Sequence, residues 1–84
     1  RAWYNLGLAH KALQQPDLAL DAFARSIELN KTFADARVQH IGLLLASGRT
    51  GEAKTGVMLL RKCQPEHPDL PALDDALQRR STPA

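Results

Sequence analysis

Apolar residues return along this chain every three to four positions, and the runs are cut at short intervals by Pro, Gly and Asn. That spacing is the signature of amphipathic helices. The first pattern covers 2–14, with Trp3, Leu6, His10 and Leu13 on one face and Gly7 beside Leu6. Gln15-Pro16 ends it, because proline lacks the backbone donor and forces its predecessor out of the α region. Pro16 and Asp17 then suit the opening turn of a second helix, predicted to 29, with Leu20, Phe23, Ala24 and Ile27 inward.

After Asn30-Lys31, the run Thr32-Phe33-Ala34-Asp35 reads as a capping box that opens a third helix to 47, with Val38, Ile41, Leu44 and Leu45 apolar. Gly48 suits a left-handed stop. Thr50 is expected to cap a fourth helix over 51–64, whose apolar part is Val57, Met58, Leu59 and Leu60. Pro65-Glu66-His67-Pro68 ends that helix. A fifth, over 69–80, carries Leu70, Leu73, Ala76 and Leu77. No segment alternates with period two, so no sheet is expected. The tail 81–84 has no ordering signal.

The breaks keep a period. Ala19 and Ala53 each stand just after a turn, and the offset between them also places Phe23 on Val57. Trp3-x2-Leu6-Gly7-x2-His10, then Ala19-x3-Phe23, then Lys31, resembles the signature W-x2-L-G-x2-Y, A-x3-F, P of the tetratricopeptide repeat. The offset from Ala19 to Ala53 equals that family's period. His10 replaces the Tyr and Lys31 the Pro. In the second copy only Ala53 and Pro65 match, although Gly48-Arg49-Thr50-Gly51-Glu52-Ala53 is similar to the family's inter-helix turn.

The resemblance implies an all-α fold, a right-handed superhelical stack of helix-turn-helix hairpins. Two repeats over 1–33 and 34–67 would be followed by a capping helix over 68–80 and a disordered tail over 81–84. Gly7 and Ala19 would face each other where the first two helices come closest. In strict register the fifth helix would bring Asp74 and Asp75 to core positions, so it is expected as an off-register cap with Leu70, Leu73 and Leu77 inward.

The resemblance also implies protein–protein interaction, as a scaffold or adaptor that holds a partner's extended peptide or helix on a concave face lined by the first helix of each pair. Carried over by position, the partner-binding residues are Tyr4, Asn5, Leu8, Asp35, Val38, Gln39 and Gly42, with Arg1, Ala12, Leu45 and Ala46 at the margins. Asn5 and Gln39 are equivalent positions one period apart, and an amide can both donate to and accept from a ligand backbone. The chaperone-binding members grip a carboxylate with Lys, Asn and Arg residues at positions that are here Tyr4, Leu8, Gln39, Asp69 and Leu73; none of these is a cation, so that specificity is not expected. The alternative is that the repeats recruit substrate for a larger enzyme, such as a glycosyltransferase or other transferase.

Composition adds exclusions. Among 84 residues, 11 Lys+Arg against 9 Asp+Glu leave a net charge of +2, too little to make nucleic acid or a membrane surface the expected partner. No apolar run reaches the length of a membrane span. The single Cys63 excludes a disulfide framework and multi-cysteine zinc patterns and leaves the compartment open, with the cytoplasm weakly favoured. Cys63 is read as a half-buried small residue, His10 and His40 as seam packing, and His67 as turn chemistry. Neither a metal or other cofactor nor a catalytic constellation is expected. The chain starts without Met inside a helical pattern and is read as a piece of a longer array. Self-association is expected through the N-terminal face around Trp3.

Overall fold

The computed structural model describes residues 2–81; Arg1, expected at the margin of the binding face, and residues 82–84 lie outside the described residues. Five helices run in order: α1 Ala2–Ala12, α2 Pro16–Leu29, α3 Ala34–Ala46, α4 Thr50–Cys63 and α5 Leu70–Ser81. There is no strand among the described residues. The fold is all-α, as the periodicity predicts. The largest interfaces lie within the α1–α2 and α3–α4 hairpins; α2 joins the hairpins through α3, and α5 lies on α4 and α3. Ser81 closes α5 rather than opening a tail.

The turns repeat more faithfully than the side chains. Gln14 and Gly48, equivalent positions of the two hairpins, both have positive φ, at 59° and 78°. Each ends its helix with the same pair of bonds. The Gln15 N–H reaches the His10 carbonyl at 2.8 Å and the Arg49 N–H reaches that of Leu44 at 2.8 Å. Gln14 and Gly48 themselves bond back to Lys11 and Leu45, at 3.1 Å in both cases. This is the left-handed helix stop that glycine makes without strain. The next breaks match too: the Phe33 N–H meets the Asn30 carbonyl, and the His67 N–H that of Gln64, both at 3.1 Å.

Gln14 carries a steric penalty at its turn that Gly48 does not. Gln14→Gly is therefore expected to stabilise the fold by roughly 1 kcal/mol, a rise of several degrees in thermal midpoint. A scan of the two proteins by circular dichroism checks it; an unchanged or lower midpoint would mean the strain is absent.

The core runs through both hairpins. Phe23, Ile41, Leu44, Val57 and Leu60 are its largest fully buried side chains, with Ala19 and Ala53 wholly covered beside them. In the first hairpin the close approach is at Gly7, where an added Cβ would lie 2.6–2.9 Å from ring atoms of Phe23. The residue across from Gly7 is thus Phe23, rather than the predicted Ala19. In the second hairpin the sizes are exchanged. Ile41 stands where Gly7 stood, Val57 replaces Phe23, and Gly56 gives the room, since a Cβ there would be 2.8 Å from Ile41 Cγ1. The large residue changes sides across the seam while identity is lost, and a packed core tolerates such compensated swaps better than one-sided growth.

Other expectations are corrected as well. Thr32 does not cap α3: its N–H and hydroxyl both bond the Asn30 side-chain oxygen, at 3.2 and 2.8 Å, and the helix begins after Phe33. Thr50 lies inside α4, whose first turn is flanked instead by an Arg49–Glu52 ion pair at 2.9 Å. Leu13 lies past the end of α1 and is exposed. Met58 and Leu59 are exposed, because the face of α4 toward α3 is Ala53, Val57 and Leu60. Cys63 is exposed rather than half-buried.

Trp3 and Leu6 are also more open than a core stripe would be, at 37% and 43% exposure. Their counterparts one repeat later explain why. Arg37 of α3 is buried and His40 half-buried, with α2 packed against that helix. No helix among the described residues takes that place against α1. Arg25 of α2 lies over the Trp3 ring at 5.8 Å and shields part of it.

α5 covers the far end of the second hairpin. Leu70 and Leu73 are buried, and Ala76 and Leu77 lean on the core. Its adjacent carboxylates diverge, as neighbours on a helix must. Asp74 pairs with Arg61 of α4 and Asp75 with Arg79 one turn on at 3.0 Å.

Candidate binding face

Among the described residues, α1 meets the residue before α3 through a ring contact and α3 itself through a hydrogen bond. Tyr4 of α1 meets the Phe33 ring edge-on at 4.9 Å and the tilted Phe23 ring at 5.8 Å. Further along, the Lys11 ammonium donates to the Gln39 side-chain oxygen at 2.7 Å. The aromatic contact fixes the start of α1 against the entry to α3, and the Lys11–Gln39 bond closes the other end.

These contacts sort the sequence-predicted residues. Asn5, Asp35 and Gly42 are exposed, and a Cβ on Gly42 would touch nothing within 4 Å. Gln39 is half-buried, with one lone pair engaged by Lys11 and its amide N–H groups unengaged among the described residues. Tyr4, Leu8 and Val38 are half-buried and packed against the core, so they present edges rather than whole side chains. Leu45 is a core residue, 6% exposed. Lys11 escaped the sequence reading. Its signal is its place one turn beyond Leu8, in register to reach the neighbouring helix.

Arg37 was also missed. It occupies the signature Trp position of the second hairpin, is 8% exposed, and reaches the Lys31 carbonyl at 3.4 Å. Its long aliphatic stem can fill space that an indole fills in the first hairpin.

Each histidine can be placed by its surroundings. The His10 ring is bonded to the Gln15 side-chain oxygen at 2.7 Å, and His67 Nδ1 accepts the Asp69 N–H at 3.1 Å, the turn chemistry expected of it. His40 is half-buried, and burial pushes its pKa below 6.5; Arg49 and Arg37 push the same way, against Glu52. A group held neutral in the fold stabilises it above the unfolded value and loses that contribution as pH falls. Below about pH 6.5 the protein should therefore lose stability relative to His40→Leu, which cannot titrate. Thermal midpoints at pH 7.5 and 5.5 check this; a midpoint difference between the two proteins that stays constant would contradict it. Among the described residues no group of three potential ligands could hold a metal ion, and no helix is long and apolar enough to cross a membrane.

The close approach of α1 and α2 is the contact of Gly7 with Phe23, two of the signature positions. The family model described as tetratricopeptide repeat matches the chain over residues 1–33, the whole of that hairpin. Residues 1–33 are a tetratricopeptide repeat. No curated protein and no solved structure gives a significant match to the chain. Tetratricopeptide repeats serve in general as protein–protein interaction modules built by stacking hairpins that cannot bury their apolar faces alone. The Gly7–Phe23 contact gives the signature its physical content here: glycine at one position is what allows phenylalanine at the other.

Proposed function

We propose that the protein binds an extended segment of a partner protein across α1 and α3, with residues 34–67 acting as a second repeat and 68–80 as its cap. The single observation that carries this reading is the Lys11–Gln39 bond, which joins α1 to α3 while Asn5, Asp35 and Gly42 stand exposed on the same two helices. Its supporting frame is the set of turn hydrogen bonds that recur from the first hairpin to the second.

The chemistry of the face follows. The Asn5 amide offers a donor and an acceptor to a peptide backbone, and Gln39 offers its N–H groups. Lys11 and Asp35 supply opposite charges at separate points, so the face favours polar, weakly charged segments. Tyr4, Leu8 and Val38 lend apolar edges at which a ligand side chain can be held. Such a surface recognises backbone and shape more than a specific charge pattern.

Selection of peptides from a random display library against the protein supplies a test ligand. Asn5→Ala and Gln39→Ala should each weaken a selected peptide by roughly 0.5–1.5 kcal/mol. Stability should change by no more than about 0.5 kcal/mol for the exposed Asn5, and by up to about 1 kcal/mol for Gln39, which also gives up the Lys11 bond. Peptides that bind the double variant as tightly as the parent would place the site elsewhere, on the face with Arg25, Arg49 and Arg61.

A further inference from the structure

We propose that the trough between α4 and α5 seats the outer stripe of α2 from a second copy of this chain, so that copies associate head to tail. This goes beyond the peptide-binding face and does not depend on it.

The trough stands at a position that the fold's own repetition marks. One repeat earlier, Ala24, Ile27 and His40 border a smaller cleft, of about 300 Å3, where α2, α3 and α4 meet. Shifted by one repeat, Ala24, Ile27 and His40 become Met58, Arg61 and Asp74. Those three residues border the α4–α5 trough, which is about 510 Å3 in volume. No helix among the described residues fills it.

Its chemistry selects the occupant. Val57, Met58 and Leu77 give an apolar floor and wall. Arg61 is neutralised by Asp74, whereas Lys54 has no partner among the described residues. The fitting helix therefore needs an exposed leucine or similar side chain one turn from an unpaired acid. The outer stripe of α2 has this arrangement: Leu18 is 51% exposed, and Asp21 is exposed and in no ion pair among the described residues. The exposed apolar residues of α1, Trp3 and Leu6, have no acid on their helix.

Spacing agrees with chemistry. Leu18 and Asp21 are three residues apart, and Met58 and Lys54 four, so each pair spans about one helical turn. An antiparallel seating that sets Leu18 on Met58 brings Asp21 to Lys54. The two patches lie on different parts of one molecule, so the contact is heterologous and does not close into a dimer by itself.

Sedimentation equilibrium on the chain, from about 10 µM to about 1 mM at low salt, reads this out. Expected is an average mass that rises with concentration and passes that of a dimer. Lys54→Glu and Asp21→Lys, both at exposed positions, should each weaken association by roughly tenfold, and the double reversal should restore it. A chain that stays monomeric overturns the proposal. So does a mass that plateaus at the dimer and ignores both reversals, which would point to pairing through Trp3. So does a double variant that keeps its helical circular dichroism but does not recover. Asn5→Ala with Gln39→Ala should leave this association unchanged, so the two readings fail separately.

Discussion

Gly7→Leu should strongly destabilise the first hairpin. Even one added carbon at Gly7 would lie 2.6 Å from Phe23, well inside contact distance, and Phe23 is fully buried. Overpacking of this kind costs about 1–3 kcal/mol or more. A small domain has only some 5 to 15 kcal/mol of stability in all, roughly speaking. The obvious relief is to shrink the opposing ring. Phe23→Ala alone should lose roughly 3–5 kcal/mol by emptying the core. Gly7→Leu combined with Phe23→Val should recover part of the loss, because it recreates the large-on-the-first-helix arrangement that Ile41 and Val57 already use. Denaturant titration of the three variants measures these changes. A midpoint unmoved by Gly7→Leu would mean the helices do not meet at that residue.

Ending the chain after Glu66 should be equally damaging. Leu70 and Leu73 are buried at 4% and 8% exposure, and their removal uncovers the surfaces of α3 and α4 beneath. At roughly 1.5–3 kcal/mol for each buried leucine, the loss is about 3 kcal/mol or more. The remaining hairpins would also lose the Arg61–Asp74 pair, although an exposed ion pair adds little. The expected product is partly unfolded or self-associating, because stacked repeats need a terminal cover. A shortened chain that remains monomeric, with undiminished helicity per residue, would show that α5 is dispensable.

The elements that punctuation specifies were legible in the sequence. Pro16, Gly48 and the Pro65–Pro68 run act through their own backbone chemistry, so the breaks between helices could be read locally. Phe23, Ile41, Leu44, Val57 and Leu60 were legible as core because each sits on a stripe that a neighbouring helix must cover. What failed depended on a neighbour's identity. The stripe of Trp3 and Leu6 is apolar, but periodicity does not say whether a helix lies against it. Met58 and Leu59 read as core by composition and point away from α3. Thr32 could have capped a helix, yet α3 starts one residue later, with Phe33 in the cap position, and the Thr32 hydroxyl turns back to the Asn30 oxygen. Gln14 adopts the backbone of a glycine, a choice forced by the turn and invisible in its side chain. Of the binding face, the carried-over positions Asn5, Asp35 and Gly42 lie open. The Lys11–Gln39 bond spans 28 residues and was beyond local pattern.

That α1 and α3 together form the partner-binding face is tested most directly by amide chemical-shift mapping, with a library-selected peptide titrated into isotopically labelled protein. The predicted result is a contiguous set of shifted amides at Asn5, Leu8, Lys11, Asp35, Gln39 and Gly42, with Arg25, Arg49 and Arg61 unmoved. Shifts concentrated at those three arginines, with α1 and α3 silent, would contradict it.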